Sequence, residues 1–379
     1  MSEAVQTREG ALILDSHKLS YHTDRVEAWE AGERIAPVSV DMSLTRACGA
    51  MCSFCYAMMQ ESQARSSIKT VDALNLLDDF SAIGIRSVSL VSDGESTLSK
   101  AYVPFIQHAA ELGIDVGNAT NAWEWEPDKI EQVLPHITWI RFTVAAGRPE
   151  SYASIMYKGP EHTEVFDRAI KHIQYAVDLK RRNGLSVTLG IQMVLMPHLK
   201  DEIIPFAQLG LDLGVDYAVI KHCSDDEQHT LGIDYSQYDS LHDLLVQAES
   251  MSNEQTKIIV KWDKIKDGDK PSYKRFYGPQ FLLQISGSGL VAPSGMFFNA
   301  RYSKLHIGNF TEERFIDIWK SERYWRAMNY LASPAFDAQT MMGTLPIQHY
   351  VSVALDNHAK GISRIQPGKE PKPLHVNFL

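Results

Sequence analysis

Apolar and polar positions follow a repeating order from residue 38 onward. Short runs rich in valine and isoleucine end in polar or glycine residues, and an amphipathic stretch with helical spacing follows each run. The pattern predicts six strands, some running into polar loops, at 38–44, 87–96, 114–121, 139–146, 186–195 and 217–222. Helices are predicted between them near 70–84, 100–112, 127–134, 162–183 and 199–214. Strands that alternate with helices of this length are typical of a parallel sheet with helical crossovers.

Six such units are too few for a closed eightfold barrel. The expected fold class is therefore α/β, with a partial (βα)6 TIM-type barrel at 38–235 behind an N-terminal extension at 1–37. After residue 235 the pattern predicts a smaller α+β C-terminal domain at 236–379, which ends in a proline-rich, extended tail from residue 360. Its expected elements are a helix near 237–251, strands at 257–262, 281–286 and 289–292, and amphipathic helices at 311–319 and 321–332.

Composition narrows the class of protein. Of 379 residues 44% are hydrophobic and 22% charged, as in soluble globular enzymes. The 37 Lys and Arg against 47 Asp and Glu give a net charge of −10, which disfavours nucleic acid as a partner. The basic run at 180–182 does not change this expectation, because it is typical of a helix end. The chain shows neither a signal peptide nor an apolar run long enough to span a membrane. We therefore expect a cytoplasmic protein without a membrane partner.

Polar residues gather where the predicted strands end. Because the carboxyl ends of parallel strands lie at one edge of a sheet, these residues should share one mouth of the barrel. They are Cys48, Cys52, Cys55, residues 93–96, Asn118, Asn121, Thr143, Gln192, His222 and Cys223.

The stretch RACGAMCSFCYAM at 46–58 places three of the four cysteines of the chain on one loop, with C-x3-C-x2-C spacing. Three thiolates can hold three irons of a 4Fe-4S cluster, and they leave the fourth iron to an exogenous ligand. The main alternative is a structural zinc site, which is normally closed by four ligands. No second C-x2-C pair and no nearby pair of histidines is present to close it.

This loop, with the aromatic Phe54 before its last cysteine and a strand before its first, resembles the radical SAM signature. The resemblance implies that Cys48, Cys52 and Cys55 hold one 4Fe-4S cluster and that S-adenosylmethionine (SAM) chelates the free iron. It also implies an electron donor of the flavodoxin or ferredoxin type. Reductive cleavage of SAM would give a 5′-deoxyadenosyl radical that abstracts hydrogen from an unactivated carbon.

Further segments are similar to the cofactor-binding positions of that family. Gly94 and Glu95 match its Gly-Gly-Glu segment, in which Asp93 replaces the first glycine, and Glu95 would accept from the amino group of SAM. The resemblance also assigns cofactor contacts to Asn121, Thr143, Gln192 and Ile220, besides Phe54 in the loop itself. Ala145 stands where the family often has an acidic residue, so no role is carried over to it.

The C-terminal region resembles a SPASM/twitch domain, a module that usually binds auxiliary clusters. The family's additional cysteines would fall near Phe276, near Pro293 or Ser294, and within 341–349, and none is present. The resemblance therefore implies a degenerate domain without auxiliary clusters, which weakens the case for a net oxidation.

Cys223 is the one cysteine outside the loop, and three interpretations of it stay open. It is a small buried residue, a remote cluster ligand, or a donor of a hydrogen atom to a substrate radical. The third interpretation predicts a redox-neutral epimerisation, in which hydrogen leaves from one face and returns to the other.

The hypothesis is a radical SAM enzyme, with an epimerase or isomerase favoured and a dehydrogenase or other C–H modification possible. Its expected substrate is a small polar metabolite of the sugar, aminocyclitol or nucleoside type, by analogy with the family. The alternatives are modification of a ribosomal peptide or protein, and a non-catalytic metal-binding scaffold. The sequence does not predict the oligomeric state.

Overall fold

The computed structural model describes residues 4–7, 10–59, 66–342 and 344–379. Residues 1–3 and 8–9 of the predicted N-terminal extension lie outside this description, as does Gly343 in the segment 341–349. The extension contributes a two-stranded hairpin and the helix α1 (Thr23–Glu30). The hairpin strands are β1 (Val5–Gln6) and β2 (Ala11–Leu12).

Ten further strands form one sheet. Numbered along the chain they are β3 (Ser39–Met42), β4 (Ser87–Leu90), β5 (Asp115–Thr120), β6 (Trp139–Thr143), β7 (Thr188–Leu195), β8 (Tyr217–His222), β9 (Lys257–Val260), β10 (Leu282–Ile285), β11 (Leu290–Ala292) and β12 (Gly308–Asn309). Their spatial order is β12-β11-β10-β3-β4-β5-β6-β7-β8-β9. From β10 to β9 all neighbours pair in parallel, whereas β11 and β12 are antiparallel.

The prediction of an open, barrel-like parallel sheet is confirmed. β3 to β8 are the six predicted strands, and β9 and β10 extend the sheet at its two ends without pairing with each other in the described chain. Both added strands come from the region after residue 235, so the sheet crosses the predicted domain boundary. The division into domains stays a prediction.

Helices connect and flank these strands. The remaining ones are α2 (Tyr56–Met59), α3 (Thr70–Ile83), α4 (Tyr102–Glu111), α5 (Pro127–Val133), α6 (Pro149–Met156), α7 (Glu164–Asn183), α8 (Ile203–Leu213), α9 (His242–Ser250), α10 (Trp262–Asp267), α11 (Phe315–Lys320), α12 (Glu322–Leu331), α13 (Ala338–Met341) and α14 (His349–Ala359). The predicted basic helix end is correct, since residues 180–182 occupy the last turn of α7 before Gly184. None of the helices in the described ranges is both long and apolar enough to cross a bilayer.

Two large rings fill the amino-terminal end of the barrel. Trp139 of β6 and Tyr217 of β8 point inward beside Gly117 and Gly190, where an added Cβ would come within 2.2 Å of either ring. The absence of side chains at these two glycines therefore makes room for both rings.

The C-terminal tail closes the same end. We expected residues after 360 to follow the surface, but Phe378 is only 7% exposed and its ring centroid lies 5.5 Å from that of Trp139. Ser87 Oγ donates to the carbonyl of Asn377 at 2.7 Å, and Lys18 Nζ donates to that of Phe378 at 2.6 Å. The tail is correctly predicted to lack helix and strand, yet its last residues pack inward because they cover the apolar rings.

Candidate functional site

The cysteine loop follows β3 and is fixed by backbone hydrogen bonds. Met51 N and Ser53 N donate to the last two carbonyls of α6, those of Met156 and Ile155, at 3.0 and 2.9 Å. Cys52 Sγ lies 3.6 Å from Met156 Sδ. Cys48 is exposed, Cys52 and Cys55 are half-buried, and none of the three forms a disulfide bond. Phe54 packs against the main core and anchors the loop from below.

The environment of Cys48 and Cys52 favours the protonated form of these two thiols when no metal is bound. Although Cys48 as a residue is exposed, desolvation of its sulfur by the surrounding protein, together with the nearby Glu95 carboxylate, raises the pKa of its thiol to about 12. Burial and the other two thiols raise the pKa of Cys52 well above its ordinary value. Because thiolates are the ligating form, metal binding at this loop has to release protons.

Gly94 lets the segment after β4 pass directly beneath the cysteine loop. Its φ is +101°, and an added Cβ would come within 2.0 Å of the Thr45 carbonyl oxygen. Glu95 N then donates to the Ala47 carbonyl at 2.8 Å, one residue before Cys48. A glycine is therefore required here for steric reasons as well as conformational ones.

Glu95 joins three loops. One of its carboxylate oxygens accepts from Thr97 Oγ1 at 2.8 Å and the other from Asn121 N at 2.8 Å. Asn121 Nδ2 in turn lies 3.9 Å from Cys48 Sγ. Burial raises the pKa of Glu95, and these donors oppose the shift. The structure thus brings Cys48, Glu95 and Asn121 together, as predicted for residues of one site.

Asp93, the departure from the family pattern, has a structural role. Its carboxylate lies 3.0 Å from Arg46 Nε at the start of the cysteine loop. It also accepts from Ser286 Oγ at 2.7 Å and from Gly287 N at 2.8 Å, just after β10. This carboxylate ties the cysteine loop to the C-terminal part of the chain.

The other predicted contacts spread over neighbouring strands. Thr143 at the end of β6 is half-buried and pairs in register with Gln192 of β7. The Gln192 side chain is buried, and its Oε1 atom has no hydrogen-bond partner in the described structure. Ile220 is fully buried in the core. Of these three residues only Gln192 lines the cavity inside the barrel.

That cavity has a volume of about 370 Å³. Tyr56, which directly follows Cys55, lines it, so the cavity adjoins the cysteine loop. Side chains of the barrel strands form its walls, and residues 344–347, 349 and 350 of the C-terminal part also line it. A cavity of this size suits a small metabolite.

Cys223 lies beside this cavity but does not line it. It is fully buried, and its Sγ atom points to the Ser224 carbonyl oxygen at 3.7 Å. Lys221 and Ser224 on either side of it do line the cavity. Burial raises the pKa of the Cys223 thiol to about 12, so it is protonated at neutral pH.

The donor set fits a cluster better than a single ion. In the ranges that the structure describes, no three Cys, His, Asp or Glu side chains lie close enough to hold one metal ion. A 4Fe-4S cluster takes each thiolate to a different iron, so its ligands are spaced more widely than those of one zinc ion. The three cysteines are the ligands that such a cluster uses, and the nearby Gln192 Oε1 atom, which has no partner in the described structure, is an acceptor for a polar cofactor.

The sequence profile of the Radical SAM superfamily matches residues 42–209. The chain contains a radical SAM domain. Enzymes of this family use a 4Fe-4S cluster and SAM. The matched range begins within β3 and ends within α8, so it includes the cysteine loop, Glu95, Asn121, Thr143 and Gln192.

Individual relatives are distant. Over 101 residues the chain is 27% identical to the sporulation killing factor maturation protein SkfB of Bacillus subtilis (strain 168), a match that covers 27% of this chain and 24% of that protein. The chain thus spans about a quarter of that relative's length.

Two solved structures extend the likeness beyond the radical SAM domain. Streptococcus suis SuiB bound to SAM superposes with a TM-score of 0.61 at 16% identity, over 94% of this chain and 81% of that one. Native anSMEcpe with bound AdoMet superposes with a TM-score of 0.56 at 12% sequence identity, over 86% of this chain and 100% of that one. At such identity the likeness concerns the fold alone.

Sequence reasoning missed the basic residues of the cavity. Arg141, Lys221, Lys261 and Lys264 all line it. A signal was present in β6 and β8, because Trp139 and Arg141, like Tyr217 and Lys221, have the period of two that places side chains on one face of a strand. The residues at the strand ends alone do not reveal this signal.

Proposed function

We propose that this protein is a radical SAM enzyme acting on a small polar metabolite in the barrel cavity. When bound, the cluster and SAM supply a 5′-deoxyadenosyl radical that abstracts hydrogen from an unactivated C–H bond. The observation that carries the proposal is the set of three cysteines on one fixed loop, directly beside a cavity of metabolite size.

The chain's own residues have separate roles in this proposal. Cys48, Cys52 and Cys55 would hold the cluster. Glu95 and Asn121 would bind the amino group and ribose of SAM, since both already lie beside Cys48. Thr143, Gln192 and Ile220 would line the other side of the cofactor, and the Gln192 Oε1 atom is an available acceptor.

We further propose a redox-neutral reaction, with epimerisation favoured. The bound cofactor would supply the acceptor for the hydrogen atom that leaves the substrate C–H bond. The Cys223 S–H bond then breaks, and its hydrogen atom forms the new C–H bond on the opposite face. One electron from a flavodoxin- or ferredoxin-type donor and one proton restore the resulting thiyl radical to a thiol. Since Cys223 does not line the cavity, this role requires the 223–224 segment to shift when substrate binds.

Anaerobic reconstitution with iron and sulfide, followed by reductant and SAM, tests the family chemistry. The expected products are 5′-deoxyadenosine and methionine, and Cys52→Ser should abolish both. Lys171→Met, an exposed change on α7, is the matched control. A non-catalytic scaffold would release no 5′-deoxyadenosine.

The role of Cys223 has its own test in heavy-water buffer. The wild type should incorporate deuterium at the inverted carbon, while Cys223→Ala should still cleave SAM without forming the epimer. An epimer from the variant, or a product free of deuterium from the wild type, would rule the role out.

Modification of a ribosomal peptide is the second candidate. Streptococcus suis SuiB has been solved bound to precursor peptide SuiA, and its fold superposes on this chain with a TM-score of 0.58 at 15% identity. A peptide product from a neighbouring short gene would favour this candidate over a metabolite.

A further inference from the structure

The barrel cavity concentrates basic side chains in a protein whose net charge is −10. Arg141 of β6, Lys221 of β8, Lys261 directly after β9 and Lys264 of α10 all line it. They come from adjacent elements on one side of the sheet, because β6, β7, β8 and β9 are neighbours. The overall composition gives no reason for such a cluster.

These cations have few partners of their own. Neither Lys221 nor Lys261 has a side-chain hydrogen bond or ion pair within the described part of the chain. Arg141 Nε is buried without an acceptor, and the guanidinium stacks 5.5 Å from the centroid of the Trp139 ring. Lys264 Nζ donates to the neutral Ser224 Oγ at 3.1 Å.

The carboxylates nearby compensate only in part. Asp41 lines the cavity, and burial raises its pKa to about 7, so it is partly neutral at physiological pH. Asp15 lies near Lys261, and burial raises its pKa too. Leu379 also lines the cavity, but no ion pair joins it to a cation in the described chain. Burial also lowers the pKa of Lys221 well below its ordinary value, that of Lys261 to about 7 and that of Lys264 to about 8. Buried lysines without acceptors are costly to charge, and an anionic ligand would favour their protonated forms.

We propose that the cavity binds its substrate through an anionic group, a phosphate or a carboxylate, held by Arg141, Lys221, Lys261 and Lys264. The inference rests on the proposed function, because it specifies the class of that enzyme's substrate as a small anionic metabolite. The cations cluster on β6, β8 and β9 and on α10, whereas the cysteine loop follows β3. Neither the three loop cysteines nor Glu95 and Asn121 line the cavity, so the anion site is distinct from the predicted cluster and amino-group contacts.

Binding of inorganic phosphate to the cluster-free protein tests the inference by ³¹P NMR titration. The wild type should bind phosphate, and Lys221→Met and Lys261→Met should each weaken binding at least about tenfold, as expected for loss of one charge-assisted contact. Lys171→Met on the outer surface should bind like the wild type. Acetate in a parallel titration distinguishes the two anions, since the tighter probe indicates which group the site prefers.

Two results would overturn the inference. One is that the wild type binds phosphate no more tightly than Lys221→Met and Lys261→Met do. The other is competitive displacement of phosphate by SAM, which would assign the cations to the carboxylate of the cofactor. Neither measurement requires a cluster or a radical, so failure of the proposed enzyme chemistry would show separately, in the 5′-deoxyadenosine assay.

Thermal unfolding shows whether the Lys261→Met variant is folded. Lys261→Met removes a buried lysine that makes no hydrogen bond or ion pair in the described chain, but it also removes the charge that faces Asp15. Its melting temperature in phosphate-free buffer should therefore stay close to that of the wild type. Phosphate should raise the melting temperature of the wild type by more than that of the variant. Equal stabilisation of both proteins by phosphate would contradict the inference.

Discussion

Replacement of Asp93 by asparagine should destabilise the protein by about 3–5 kcal/mol, the usual cost of leaving a buried charge without its partner. The Asp93 carboxylate lies 3.0 Å from Arg46 Nε, and the two side chains are only 6% and 11% exposed. It also accepts from Ser286 Oγ and Gly287 N at 2.7 and 2.8 Å. An amide keeps the shape of the side chain but leaves the Arg46 charge uncompensated in a poorly solvated place.

Urea denaturation of the cluster-free protein, followed by tryptophan fluorescence, measures this free energy of unfolding. Asp24→Asn is the matched control, because Asp24 pairs with Arg86 at 2.5 Å but is 58% exposed. That change should cost about 1 kcal/mol or less, as for other surface ion pairs. The double variant Arg46→Met/Asp93→Asn should recover a large part of the loss, since it removes the unpaired charge.

A loss below about 1 kcal/mol for Asp93→Asn would refute this reasoning, because the pair would then behave like a surface ion pair. A double variant no more stable than the single one would refute it as well. Since Arg46 lies two residues before Cys48, the single variant should also retain less iron after reconstitution, while Asp24→Asn should retain the wild-type amount.

Three shorter predictions follow from single positions. Gly94→Ala should lower the free energy of unfolding by more than about 3 kcal/mol, measured by calorimetry, because φ is +101° and the added Cβ would meet the Thr45 oxygen at 2.0 Å. Gly113→Ala is the control and should lower it far less, because φ is +70° there and nothing lies within 4 Å of the added Cβ. Cys52→Ser should abolish the visible absorption of a reconstituted 4Fe-4S cluster, and an unchanged spectrum would exclude Cys52 as a ligand. The fold lowers the pKa of Lys261 from 10.5 to about 7, so the unfolded chain binds more protons between these values. The free energy of unfolding of the wild type should therefore increase relative to that of Lys261→Met as pH rises from about 7 to 10.5. A difference between the two proteins that does not change with pH would contradict the lowered pKa of Lys261.

The local features of the site could be predicted because they depend on short-range patterns. Cysteine spacing, the strand before the loop and the polar residues at the strand ends are all visible within a few residues of one another. The six strands β3 to β8 were recognised for the same reason. β9 and β10 were also recognised as strands, but they were assigned to another domain, because a strand's periodicity does not identify the strand with which it pairs.

The helices α6 and α14 went unpredicted. α6 is short, and its Met156 and Ile155 carbonyls matter because they hold the cysteine loop from a distant part of the chain. The inward packing of Phe378 was missed because a proline-rich tail carries no signal of the ring that it will cover.

The sequence by itself determined the chemistry of the cysteine loop, since three thiols within eight positions allow few alternatives. It also supplied the glycine that passes beneath the loop. Only the tertiary structure decided the character of the cavity. Arg141, Lys221, Lys261 and Lys264 lie far apart along the chain, and each alone resembles an ordinary surface cation. They meet because the sheet curves and turns one face of each strand inward, and that choice of face depends on the whole barrel rather than on any local pattern.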